Sequence, residues 1–312
     1  MSDIITLDYE TFFSDTFTLK KLTTLEYVAH EEFKIHGVGI KINEQPTEWV
    51  SDMEIAHKEI AKMSNNALLA HNAMFDGLIM QYHYGILFDF YYDTMAMSAG
   101  FNPHGSARLE ALCELLWPDD ESMRKGEELM AIKGIRDLDE EQEKAIAGYC
   151  IQDVELTHAA FQKMNWFPKE ELKVIDLTCR MYIHPVLRLD SDMTREHMEQ
   201  VTAERDAAVA ATPHDKSLFS SNPKFANLLI DTYDIDPPTK ISKTTNKKTW
   251  AFGTKDLDFI RLRADHPELD NIWQARVKVK STQEISRSKR LLTAASIDSG
   301  WMRVPLDGCV CL

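Results

Sequence analysis

Up to about residue 167 the chain alternates short apolar runs with amphipathic segments, and this alternation restricts the fold more than any other feature of the sequence. "IITLD", "IHGVGIKI", "TEWV" and "ALLAHN" have the length and composition of strands, with "NEQP" as the turn between the second and third. "SDMEIAHKEIAKM", opened by a capping box at Ser51 and Glu54, "MFDGLIMQYHY", "DTMAMSAG" and "SARLEALCELLW" read as helices. A long helix is predicted from about Asp139 to Met164. Strands followed by helices in this order predict a mixed sheet with helices on both faces. After Pro168 the strands nearly vanish. "PKEELKVIDLTCRMYI", "DSDMTREHMEQVTAERDAAVAA", "NPKFANLLIDTY", "TKDLDFIRLRADH" and "PELDNIWQARVKVK" are helical patterns, several opened by Asp, Asn or Thr caps or by Pro in the first turn. The expected organisation is an α/β domain over residues 1–167 and a mainly helical region over 168–312. Within the latter, "PPTKISKTTNKKTWAF" is polar and Lys-rich and reads as a loop or hairpin.

With 312 residues, 44% of them hydrophobic, the chain can bury one large core or two smaller ones. No apolar run approaches the roughly 20 residues that span a bilayer, and no signal peptide opens the chain, so no membrane partner and a cytoplasmic location are expected. Cys113, Cys150, Cys179, Cys309 and Cys311 have no zinc-type spacing and read as reduced thiols. The net charge of -15 argues against a general nucleic-acid coat. The average conceals an asymmetry: Pro237 to Arg290 holds 13 Lys and Arg against 6 Asp and Glu. That segment and the acidic remainder are suited to different partners.

Three pieces carry chemistry. Asp8 and Glu10 end the first strand, and residues two apart on a strand project from one face. Carboxylates held that close repel unless a hard cation such as Mg²⁺ or Mn²⁺ lies between them; a solvated acidic strand end is the alternative. In "LLAHNAMFDGLIM" a strand ends at His71 and Asn72, and Asp76 follows in the first turn of a helix, either as a ligand or as an acid favouring the helix dipole with Asn72 as cap. In "AGYCIQDVELT", Tyr149 and Asp153 are four apart on one helix face, where Tyr149 could equally be a core aromatic.

In this order the pieces resemble the tyrosine subclass of the DEDD (DnaQ-like) superfamily of 3′ to 5′ exonucleases, whose fold is ribonuclease-H-like. The histidine subclass would place His at the position of Gly148. The resemblance implies two divalent cations, Mg²⁺ or Mn²⁺, held by Asp8, Glu10, Asp76 and Asp153, with Tyr149 orienting the attacking water. It also matches Asp93 in "YYDTM" to a recurrent Asp-Thr, read as structural support. Phe12, Asn72 and Phe75, beside these acids, are candidate contacts to the terminal bases, with core packing as the alternative for at least one phenylalanine.

The remainder looks like the region after the exonuclease domain in bacteriophage family A (polymerase I-like) DNA polymerases, where it forms the thumb and the entry into the palm. The stretches carrying this likeness are "FPKEELKVIDLTCRMYIHPVLRLD", "SNPKFANLLIDTYDIDPPTKIS", "TTNKKTWAF" and "VKVKSTQEISRSKRL". On this reading Lys240, Lys243, Lys247, Lys248, Lys278 and Lys280, with Arg287, Lys289 and Arg290, are candidate phosphate contacts, against the alternative of a solvated basic face. The resemblance would continue into a palm and fingers, and the expected explanation is a split polymerase whose second chain is a partner, beside a single-stranded DNA 3′ end and a primer–template duplex. A truncated gene product and one half of a split-intein arrangement, suggested by Cys309, are the alternatives. The expected function is a proofreading exonuclease without polymerase activity of its own. The alternatives are an RNA-trimming enzyme of the same superfamily and a DNA-clamping or assembly subunit with a silent nuclease site.

Overall fold

The computed structural model describes residues 3–63, 65–124, 132–242 and 245–303; Lys243, Cys309 and Cys311 lie outside them. Five strands, β1 (Asp3–Thr11), β2 (Ile35–Ile42), β3 (Glu48–Val50), β4 (Asn66–Ala70) and β5 (Phe90–Asp93), form one sheet in the order β3-β2-β1-β4-β5. β2 runs antiparallel to β1 and β3, while β4 is parallel to both β1 and β5. This is the expected mixed sheet. Its helices are α1 (Thr24–Val28), α2 (Met53–Lys62), α3 (Ala73–Tyr84), α4 (Thr94–Phe101), α5 (Leu109–Leu116), α6 (Glu140–Lys163) and α7 (Lys169–Ile183).

The period of two along β1 divides its residues between the sheet faces. Tyr9 bonds through its hydroxyl to His57 of α2 (2.6 Å) and Met80 of α3 (2.7 Å), whereas Thr6 bonds to His158 of α6 (2.8 Å). Ile5, Leu7 and Tyr9 thus enter the main core and Thr6, Asp8 and Glu10 face α6. α6 can lie close because β2 carries Gly39: a Cβ there would stand 2.9 Å from Cys150 Sγ and 3.0 Å from Val154 Cγ2.

Local chemistry starts the helices. Asp139 caps α6 with a full capping box to Gln142. α2 begins one residue later than the sequence suggests, because Asp52 rather than Ser51 accepts the N–H groups of Glu54 and Ile55. α1 and β5 were not expected. Yet Thr23 and Glu26 form a capping box at α1, so that signal was present in the sequence.

Contacts divide the chain into one compact unit running through Arg188 and resuming at Trp301, and a second spanning Leu189–Gly300. α7, which the sequence grouped with the helical region, belongs to the first unit because Ile175, Cys179, Tyr182 and Ile183 enter the main core. Its Asp176 accepts the Tyr91 N–H of edge strand β5 (2.9 Å), protecting that edge. Entry and exit of the second unit form a short ribbon, β6 (Leu187–Arg188) against β9 (Trp301–Met302). Buried Arg303 then donates to the last carbonyls of α7, Tyr182 (2.9 Å) and Ile183 (2.8 Å).

The second unit contains α8 (Ser191–Ala210), α9 (Lys216–Ser220), α10 (Asn222–Tyr233), α11 (Leu257–Asp265), α12 (Asp270–Lys280) and α13 (Gln283–Ile297). A hairpin of β7 (Thr239–Ile241) and β8 (Lys248–Trp250) interrupts them in the Lys-rich stretch. Its core gathers Phe219, Phe225, Phe252, Phe259 and Trp273. Arg276, 1% exposed, crosses that core, its guanidinium over the Phe225 ring and bonded to the Phe219 carbonyl and the Asn222 side chain.

Gly39→Val is expected to overpack the contact between α6 and β2 and destabilise the protein by about 1–3 kcal/mol in urea unfolding; a change below about 0.5 kcal/mol would mean α6 can move away freely. Burial lowers His36 and His57 from 6.5 to about 4. The unfolded chain therefore binds more protons between those values, and stability should fall as pH drops through that window and level off below it. Thermal melts of wild type and His57→Gln test this: the variant's decline should be shallower, and an equally steep decline would remove His57 from the account.

Candidate metal centre and active site

β1 outlasts its parallel neighbour. The last register pair of β1 with β4 is Thr6 with Leu69, and after Ala70 the chain turns into α3. Asn72 makes the turn in the left-handed conformation (φ 86°, ψ 56°), and its side chain supplies no cap bond. The turn is held from β5: Asp93 accepts the N–H groups of Asn72 (3.1 Å) and Ala73 (3.0 Å), and caps α4 through Met95 and Ala96. Asp76, one turn into α3, thereby reaches the uncovered part of β1 and accepts the Tyr9 N–H at 3.1 Å.

Carboxylate oxygens of Asp8 and Glu10 and the sulfur of Cys150 all lie within 4.8 Å of one another. The thiol donates to the Asp8 carbonyl at 3.2 Å. Burial, followed by the charges of Asp8, Glu10 and Asp153, pushes its pKa well up. A thiol kept protonated is no ligand for a hard cation. α6 brings Tyr149 and Asp153, both buried, to the same place. Asp8, Glu10, Tyr149 and Asp153 line one cleft of about 270 Å³ with Phe75, Tyr27 and, from the segment after β1, Phe13, Thr18 and Leu19.

Asp76 is 2% exposed, and burial, then the charge of Asp8, raises its pKa well above the usual carboxylate value. These groups suit a cation. The donors are oxygens, as Mg²⁺ and Mn²⁺ prefer, and a bound positive charge would offset both the burial and the repulsion from Asp8 that raise Asp76.

Of the remaining residues singled out from sequence, Phe75 reaches the cleft, Phe12 is buried against Phe17 beneath the Arg136 guanidinium, and Asn72 sits half-buried at the α3 start. In the second unit, Lys240 pairs with Asp256 (2.7 Å), Lys278 with Glu204 (2.7 Å), and Lys280 donates to the Ser220 carbonyl (3.1 Å). Lys247 and Lys248 are exposed on the hairpin, as are Arg287, Lys289 and Arg290 on α13. Sequence reasoning missed Phe13, Thr18, Leu19 and Tyr27. The capping box at Thr23 and Glu26 marks in the sequence where α1 begins, but gives no sign that the loop before it reaches the cleft.

No family model and no curated protein matches the chain. Among solved structures it is similar to the polymerase domain of Pol1 from M. smegmatis, in complex with DNA primer–template and dNTP, at 12% identity and a TM-score of 0.57. The match covers 97% of this chain and 48% of that one, so the chain spans about half its length. Escherichia coli RNase D, an exoribonuclease involved in structured RNA processing, matches at 13% identity and a TM-score of 0.39, covering 90% of this chain and 69% of that one. Brucella melitensis NrnC with bound Mg²⁺ matches at 12% and 0.33, covering 53% and 75%. At such an identity the likeness to the Pol1 domain is one of fold alone.

Asp76→Asn tests the electrostatics. A carboxylate with a raised folded pKa contributes stability at low pH that is lost as pH rises. Without metal at about pH 8, the variant should therefore be at least as stable as wild type, the difference closing on acidification. Adding Mg²⁺ or Mn²⁺ should raise the melting temperature of wild type and leave the variant near its metal-free value. A metal-free wild type more stable than the variant throughout would show that native partners already stabilise the ionised carboxylate.

Proposed function

We propose that the chain is a metal-dependent 3′–5′ exonuclease acting on DNA ends, in the manner of a polymerase's proofreading domain. The observation that carries this reading is the gathering of Asp8, Glu10 and Asp153 with Tyr149 at one cleft, over Asp76 bonded to the β1 backbone. Asp8, Glu10, Asp76 and Asp153 would hold two divalent cations. Bound there, the ions supply Lewis acidity, lowering the pKa of a water and stabilising the leaving 3′ oxygen. The Tyr149 hydroxyl orients the attacking water, and Phe75 stacks against the terminal base. Cys150, kept protonated, holds the Asp8 backbone by donating to its carbonyl.

DNA is favoured as substrate by the fold likeness to a polymerase domain solved on primer–template DNA, together with the basic hairpin and α13 of the second unit. Lys247, Lys248, Arg287, Lys289 and Arg290 would meet duplex phosphates. In this reading the 3′ end arrives from a polymerase active site carried elsewhere, in a phage replication setting.

A 5′-labelled single-stranded oligonucleotide, as DNA and as RNA, should shorten from its 3′ end with Mg²⁺ or Mn²⁺ and not with EDTA. Asp8→Ala should abolish the ladder while retaining affinity for DNA in EDTA. Faster digestion of RNA would replace the proofreading reading with an RNA-trimming one, and intact DNA under every condition would remove the exonuclease.

Replacing Lys247 and Lys248 by Ala should reduce the slope of log affinity for duplex against log salt by about 2. An unchanged slope would return these lysines to the role of a solvated face.

A further inference from the structure

A second groove opens on α6 beside the acidic cleft. About 430 Å³ in volume, it is lined by Glu141, Lys144, Ala145, Gly148, Tyr149 and Gln152, and it shares Tyr149 with the cleft that holds the carboxylates. Helical spacing arranges α6 in two adjacent columns. Tyr149 and Asp153 form the one that faces the acids; Lys144, Gly148 and Gln152, four apart in succession, form the other. We propose that this second column is the track on which the single-stranded substrate's backbone lies, with the Lys144 ammonium holding the phosphate next to the scissile one. The inference rests on the exonuclease reading and extends it to a positioning residue.

The electrostatics require such a group. A polynucleotide brings one negative charge per linkage, and the described lining of the acidic cleft offers carboxylates, hydroxyls and aromatic rings but no cation to answer the neighbouring one. Among the described residues lining the two cavities, Lys144 is the one cation. It is exposed, one turn and a residue before Tyr149, where a charge-assisted bond to a non-bridging oxygen can form. Gly148 leaves the groove open: a Cβ built there meets nothing within 4 Å, so the sugar–phosphate backbone can approach the helix. Gln152 closes the end toward Asp153, its amide fixed by donating to the Arg124 carbonyl at 2.7 Å. Glu141 at the opposite rim disfavours a further phosphate, so the groove takes one.

The test compares kcat/KM of wild type, Lys144→Met and Gly148→Leu on three substrates. These are a single-stranded DNA oligonucleotide, the same oligonucleotide with an uncharged methylphosphonate at the second linkage from the 3′ end, and the p-nitrophenyl ester of thymidine 5′-monophosphate, which has no neighbouring phosphate. Lys144→Met should lose about tenfold on the natural oligonucleotide, mainly through KM, and less on the ester. The neutral linkage should weaken wild type by a similar factor and add no further loss to Lys144→Met. Gly148→Leu should also lose more on the oligonucleotide than on the ester, while melting no lower than wild type because leucine favours a helix. Losses that multiply, or equal losses on ester and oligonucleotide, overturn the assignment. A wild type that hydrolyses none of the three substrates removes the exonuclease reading, and this inference with it.

Discussion

Asp76 lies almost wholly out of water beside a second carboxylate, Asp8, and the first unit is arranged around keeping it there. Burial of a like-charged pair is unfavourable unless hydrogen bonds or a counter-charge offset it. The Tyr9 N–H supplies one bond, and it is open to Asp76 because β4 stops pairing with β1 at Leu69. The turn that follows is anchored by Asp93, itself buried and surrounded by four backbone N–H groups. One carboxylate is therefore placed by the end of a strand, and that strand end by another carboxylate.

The two faces of β1 divide the work. Tyr9 ties one face into the core through His57 and Met80, so the strand cannot slip by a residue without exchanging core for site. The other face receives α6 at a distance set by Gly39, and α6 delivers Tyr149, Cys150 and Asp153 together. Packing and the proposed chemistry share this contact. A side chain at position 39 would disturb both.

The second unit shows why a tally of charge says less than a map of it. Arg276 counts among the basic residues of the Pro237–Arg290 segment yet is core, and burial lowers its pKa to about 10. Lys240 and Lys278 are engaged with Asp256 and Glu204. Among the described residues, what remains for a polyanion is the exposed hairpin, Lys255, Arg261 and the outer face of α13, a smaller patch than the sequence excess implies.

Much of the first unit was legible in the linear sequence because it follows from backbone periodicity. The strand repeat puts Asp8 and Glu10 on one side, the helical repeat puts Tyr149 and Asp153 on one face, and Asp139 with Gln142 announces α6. Caps were legible only to within a residue, as Ser51 and Asp52 show, since neighbouring polar groups compete for the same N–H donors. The assembly of the acids was not determined in this way. That Asp76 reaches the Tyr9 N–H, that Cys150 stands against Asp8, that Phe12 turns inward while Phe75 lines the cleft, and that α7 joins the first core depend on contacts between residues far apart in the chain. Sequence alone determined which side chains share a local face, because that needs only φ and ψ. Tertiary structure decided which of those faces meet and lose their water, because close packing is settled by the shapes of both partners at once.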